Sequence, residues 1–219
     1  ATGDELVRPG EPVGPHQIVS SNALGLAAII SAAGGETIDL GIAPDNRDAL
    51  RAMAAGARGA DMLITLGGAS VGDHDLVRSV LGEAGLKIDF WNIAMRPGKP
   101  LIFGYLGDVP MLGLPGNPVS SLVCALLFVR PALAAMLGDS NSGNHTQTAI
   151  LGADLKGNDN RQDYLRASLS SDGIATPFPV QDSSMLTTLA KAGCLIIRAP
   201  FAPAARAGDK VLILSLDTV

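Results

Sequence analysis

Apolar positions along the first two thirds of the chain switch repeatedly between a helical and an extended period. Leu24, Ala27, Ala28 and Ile30 give one side to a helix that Asn22 caps and Gly34-Gly35 stops. Residues 36–42 read as a strand ending at Pro44-Asp45-Asn46, and Asp45 is placed to cap an alanine-rich helix over 47–58. Residues 61–66 are nearly all apolar and rich in branched side chains, which predicts a strand buried on both faces. A helix over 76–84 follows, with Asp75 near its N-cap and Gly85 as its stop, then a strand over 88–95. Residues 101–105 and 110–114 are two short strands around the turn Leu106-Gly107-Asp108. Asn117 and Pro118 open a long apolar helix reaching Leu137, with a kink expected near Pro131.

After residue 144 the pattern is one of strands and turns, over 146–151, 161–169, 174–178, 194–198 and 211–216, with one short helix over 184–191. The alternation in the first part predicts an α/β domain over 1–138 with a largely parallel sheet flanked by helices. A polar linker, 139–145, leads to a small all-β domain over 146–219. Hydrophobic residues make up 47% of the chain and charged ones 17%, enough apolar material for a substantial core. A net charge of −5 excludes a general nucleic-acid binder, which needs a basic face.

Cys124 and Cys194 lie far apart in apolar runs, as small core residues of a reduced, cytoplasmic protein do; His16, His74 and His145 form no zinc pattern. The apolar run 122–137 is interrupted by Arg130-Pro131 and is short for a membrane span, and no signal peptide is visible. The chain opens on Ala1-Thr2-Gly3-Asp4-Glu5 without an initiating methionine, which reads as a fragment whose first strand is missing.

Chemistry concentrates in four loops. Thr2-Gly3-Asp4-Glu5 carries two adjacent carboxylates. Gly67-Gly68-Ala69-Ser70-Val71-Gly72 follows the strand 61–66, offering bare backbone and a hydroxyl where a helix is about to start, which suits an anion. Arg96-Pro97-Gly98-Lys99-Pro100 holds two cations around a turn, and Leu114-Pro115-Gly116-Asn117-Pro118-Val119-Ser120 leads into the long helix. Loops after strands are where open α/β sheets place ligands, so Glu5, Asp45, Ser70, Asp75, Arg96, Lys99 and Asn117 are candidates for one crevice.

These four motifs, in this order, resemble the MoeA family of molybdenum cofactor biosynthesis, whose eukaryotic relative is the gephyrin E domain. The resemblance covers nearly the whole chain, and the β domain after residue 144 points the same way. It implies a molybdopterin molybdenumtransferase that takes adenylylated molybdopterin and molybdate, inserts molybdenum at the dithiolene and releases AMP. It also implies Glu5, Asp45 and Asp75 as catalytic residues, with Asp45 and Asp75 holding Mg²⁺. Thr2, Gly3, Asp4, Asn22, Gly67, Gly68, Ser70, Gly72, Arg96, Pro97, Gly98, Lys99, Pro115, Gly116, Asn117 and Ser120 would then bind the substrate. Position 96 is Arg where the resemblance leads one to expect Lys. MoeA-type proteins carry a further N-terminal portion, so the resemblance implies a homodimer formed through it. An adenylyltransferase or molybdoenzymes are the other implied partners, with no nucleic acid and no membrane. Two other functions are compatible with the motifs: adenylyl transfer to molybdopterin, and a non-catalytic docking module of the gephyrin type.

Overall fold

A computed structural model describes residues 1–68 and 76–216. Its first sheet has four strands: β3 (Leu63–Leu66), β7 (Val109–Leu114), β6 (Ile102–Leu106) and β4 (Leu86–Trp91), side by side in that order. It is a mixed sheet rather than a largely parallel one. β3 and β7 run parallel, whereas β7–β6 and β6–β4 are antiparallel. The cause is local: Gly107, at φ +64°, closes a two-residue turn that sends β7 straight back along β6, and so short a connection leaves only the antiparallel option. A two-stranded parallel ribbon, β1 (Leu6–Val7) and β2 (Ile18–Val19), stands apart from the sheet.

The burial of β7 shows how the layers stack. Met111 faces a core formed with α2 (Arg47–Ala55) and α3 (Leu76–Glu83), including Leu50, Val77, Val80 and Leu81. Leu112 and Leu114 face the opposite way, toward α1 (Asn22–Ala32) and the 19-residue helix α4 (Pro118–Met136). Both faces of the strand are therefore covered, as its unbroken apolar character requires. α4 meets the length and apolarity of a membrane span, but Val119, Val123, Cys124 and Val129 are wholly buried, as in the central helix of a core.

Pro131 does disturb α4, through a single wide turn over Ala125–Val129 in which Arg130 N–H reaches back to Ala125 O. Proline has no N–H to give to Leu127 O, and the side chain of Asn144 supplies the bond instead, Nδ2 donating at 2.8 Å.

The second unit is a closed barrel. β8 (Thr146–Leu151), β12 (Lys210–Ser215), β11 (Cys194–Arg198) and β9 (Gln162–Leu169) lie in sequence, and β10 (Ile174–Pro177) pairs with both β8 and β9 to close the ring. Ala149, Leu151, Ala167, Ala175, Ile196 and Ile213 fill its interior. Leu195 and Leu214, on the outer face, pack into the same core as α4. A short helix, α5 (Leu186–Ala190), precedes β11.

Three elements differ from the reading of the sequence. Residues 36–42 form no strand; Gly41 adopts φ +87° and donates its N–H to Asp39 Oδ1, a local turn that breaks the pleat, and Ala43 alone bridges Thr2. The apolar run 88–95 is cut at Asn92, which takes φ +73°. Beyond the cut, β5 (Met95–Arg96) leaves the first sheet and joins β9 of the barrel. Helix α2 is capped not by Asp45 but by Asn46, whose side chain accepts the Ala49 N–H at 2.8 Å.

Candidate functional site

The carboxyl ends of β3 and β7 are tied to their surroundings by three long-range hydrogen bonds, and a fourth joins the two loops beside them. Thr2 N–H donates to Leu66 O at 3.0 Å, and Gly3 N–H to Ala43 O at 3.2 Å. Gly67 N–H donates to Leu114 O at 3.1 Å. Asn22, which the sequence placed as a cap, instead uses its Nδ2 to bind Gly116 O at 2.7 Å. Thr2-Gly3, Ala43-Asp45, Gly67-Gly68 and Leu114-Asn117 thus meet at one rim of the sheet, with Asn22 bracing the last of them. This is the end of the sheet where α/β folds bind ligands.

Two glycines are required there. Gly67 takes φ +85° against the Thr2 backbone, and Gly68 takes φ +67° with Val77 where a side chain would stand. The acidic residues cluster on the same side. Asp4 Oδ1 accepts the backbone N–H of Asp45 at 3.0 Å, and the Glu5 carboxylate folds back over Gly3, with Oε2 2.5 Å from where a Cβ would be. Because Asn46 has taken the cap of α2, the exposed Asp45 carboxylate is not committed to the helix. Ser70, Gly72 and Asp75 lie outside the described residues.

The N-terminus of α4 forms the next wall. Pro115, Val119 and Ser120 are buried, while Gly116 and Asn117 are exposed. Two contacts here come from the barrel and carried no local signal in the sequence. Ser183 O accepts the Val119 N–H at 3.0 Å, and Ser183 Oγ accepts from Asn117 Nδ2 at 3.0 Å. The loop holding Ser183 rests on Arg166, a fully buried side chain whose Nη2 donates to Asp182 O at 3.1 Å. Gln181 locks it from the other side, accepting Arg166 N–H at 3.0 Å. Burial pushes the Arg166 guanidinium below its ordinary range, and Asp182 opposes that shift.

The fourth motif is placed differently. Pro97 and Gly98 are buried over the middle of α4, where Gly98 O accepts from Cys124 Sγ at 3.9 Å. Arg96 points into the barrel unit: Nε donates to Asp163 Oδ1 at 2.9 Å and Nη2 to Asp163 Oδ2 at 3.0 Å. The hydrogen bonds to Asp163 raise the arginine's pKa, against the opposing effect of burial. Lys99 is exposed and has no ion-pair partner among the described residues. Of the candidate residues, Thr2, Gly3, Asp4, Glu5, Asn22, Asp45, Gly67, Gly68, Pro115, Gly116, Asn117 and Ser120 share the rim, and Arg96, Pro97 and Gly98 pack against α4 and the barrel.

Asp45 offers the hard carboxylate oxygens that a magnesium ion takes, and an exposed carboxylate leaves room for the waters such an ion keeps. Among the described residues no three His, Cys, Asp or Glu side chains gather at metal-binding separation. One or two carboxylates beside a phosphate are what Mg²⁺ uses, so the donor chemistry fits.

Residues 1–135 match the family described as probable molybdopterin binding domain, and residues 148–216 match the MoeA C-terminal region, domain IV. A molybdopterin molybdenumtransferase of Haemophilus influenzae is 35% identical over 97% of this chain and 54% of its own length. One from a Nostoc species is 38% identical over 77% of this chain and 40% of its own. A crystal structure of a molybdopterin biosynthesis MoeA protein from Pyrococcus horikoshii superposes with a TM-score of 0.84 at 31% identity, covering 98% of this chain and 52% of that one. The chain spans about half the length of the relatives it matches.

Proposed function

Since the chain belongs to the MoeA family of molybdopterin-binding proteins, we propose that it carries the substrate crevice of a molybdopterin molybdenumtransferase. Adenylylated molybdopterin and molybdate enter; molybdenum is placed at the dithiolene and AMP leaves. One observation supports this above the others: the loops at 2–5, 43–45, 67–68 and 114–117 are cross-tied at a single rim, with carboxylates on one side and a helix N-terminus on the other.

The chemistry follows from those groups. The Gly67-Gly68 turn and the positive end of α4 face the phosphates, with the Gly67 and Val119 N–H groups already spent on Leu114 O and Ser183 O, and exposed Lys99 adds a positive charge. As the phosphorus–oxygen bond of the link breaks, charge gathers on the departing AMP, and fixed donors stabilise it without reorganising. Asp45 and Glu5 orient a water against the pterin-side phosphorus and Asp45 takes its proton, so that a new phosphorus–oxygen bond restores the pterin phosphate as AMP leaves with the bridging oxygen. Asp45 and Asp75 are the residues that would hold Mg²⁺, which when bound neutralises phosphate charge. Asp4 keeps Asp45 in place through its backbone amide. The same reading makes the protein a cytoplasmic homodimer receiving its substrate from an adenylyltransferase.

The test is to incubate the protein with adenylylated molybdopterin, Mg²⁺ and molybdate, and to measure AMP and molybdenum-loaded pterin together. Release of both in equal amounts is expected, and Asp45→Ala lowers the rate about 100-fold, the scale of losing a positioned acid–base group. An Asp45→Ala protein with undiminished insertion removes the catalytic assignment. Formation of adenylylated molybdopterin from ATP identifies an adenylyltransferase instead.

A further inference from the structure

The guanidinium of Arg96 is held along one edge by both oxygens of one buried carboxylate. Asp163 is 5% exposed, and its two oxygens accept Nε and Nη2 of Arg96 in parallel, the bidentate geometry that fixes an arginine most firmly. The two residues are also direct partners in the β5–β9 ladder, so backbone and side chains hold the same register. Gln162 N–H donates to Ala94 O at 2.9 Å, just ahead of that pairing. Asp159 stands 3.6 Å from the remaining Nη1. Arg198 is the opposite neighbour of Asp163 on β11. Asp159 is shared with Arg161, whose Nη2 donates to it at 2.8 Å, so it is Asp163 that closes the Nε–Nη2 edge of Arg96 to an anionic ligand. Three residues on, Lys99 is exposed and faces no such competition.

We propose that Asp163 is a positioning residue of the barrel: it holds Arg96 as a strut between β9 and the turn 96–100, and thereby sets where Lys99 meets the substrate's phosphate. The two cations of the Arg-Pro-Gly-Lys motif therefore divide the work, one structural and one ligand-binding. The proposal rests on the functional reading above for the identity of the phosphate, but not for the strut itself.

Four variants separate the roles, read by turnover of adenylylated molybdopterin and by amide hydrogen exchange over residues 95–99. Asp163→Asn keeps the shape and removes the charge; it raises KM about tenfold with kcat within twofold, and increases exchange at 95–99. Arg96→Met does the same. Lys99→Met raises KM as much but leaves exchange unchanged. The exchanged pair Arg96→Asp with Asp163→Arg brings both readouts back toward wild type, because a strut works in either polarity.

Wild-type KM and wild-type exchange in Asp163→Asn overturn the proposal. So does an exchanged pair with restored exchange but the poor KM of Arg96→Met, since the guanidinium would then be a ligand. If the unaltered protein neither binds nor turns over adenylylated molybdopterin, the functional reading fails, and hydrogen exchange in Asp163→Asn and the exchanged pair still decides the strut.

Discussion

Asp45 and Asn46 are adjacent residues of the two types that most often close a helix, and in this fold they have separate tasks. Asn46 accepts the Ala49 N–H, so Asn46→Ala should cost about 1 kcal/mol in urea unfolding. Asp45→Ala should leave stability within about 0.5 kcal/mol of wild type while, on the function proposed above, lowering molybdenum insertion about 100-fold. The sequence could not make this distinction, because an aspartate and an asparagine side by side each satisfy the capping rule and only backbone geometry decides. A second residue-scale constraint is Gly98, at φ +109° with Cys124 Sγ 2.5 Å from the place of a Cβ. Gly98→Ala should therefore destabilise the protein by about 2 kcal/mol, from backbone strain and overpacking together. Burial pushes the Cys124 thiol up to about 12, from an ordinary value of 9.0. The folded state thus keeps a proton that the unfolded state gives up. This contribution is whole below pH 9.0, shrinks as the pH rises and is exhausted near 12. Cys124→Ala should flatten the alkaline fall in stability, measured by urea titrations over that range.

At the scale of elements, the barrel strands were the easiest to read. The strands 146–151 and 194–198 stand where their apolar runs predicted, since each is bounded by polar turns and pairs along its whole length. The two runs that misled, 36–42 and 88–95, share one cause. Each contains a residue that accepts a positive φ, Gly41 or Asn92, and such a residue ends a strand without altering its hydrophobic pattern. Helix α4 presents the opposite case, in which Pro131 announced a disturbance but not its remedy. The remedy is Asn144, seventeen positions from the carbonyl it serves. Asn144→Leu should leave Leu127 O without its donor and cost about 1 kcal/mol, and Pro131→Ala in the same background should recover part of it. Thermal melts of the single and double variants would show that coupling.

Over the whole molecule, the cores lie in layers, and α4 is shared. Leu195 and Leu214 of the barrel join Leu114, Val119 and Val123 in one apolar cluster. The α/β part and the barrel should accordingly unfold in a single cooperative step, with coincident transitions by circular dichroism and tryptophan fluorescence from Trp91. Leu195→Ala should lower that step by about 3 kcal/mol without dividing it. The gathering of loops at one rim could be inferred from topology but not located, because its ties span up to ninety-four residues, from Asn22 to Gly116. Local periodicity carries no record of such a distance. The early departure of β5 to the barrel has a practical outcome for anyone dividing the polypeptide. Cleaved at residue 141, the two pieces would each hold half of a matched seam, Met95-Arg96 on one and Gln162-Asp163 on the other. Produced separately, they should find each other in solution and reassemble, which would make this protein a natural scaffold for fragment complementation.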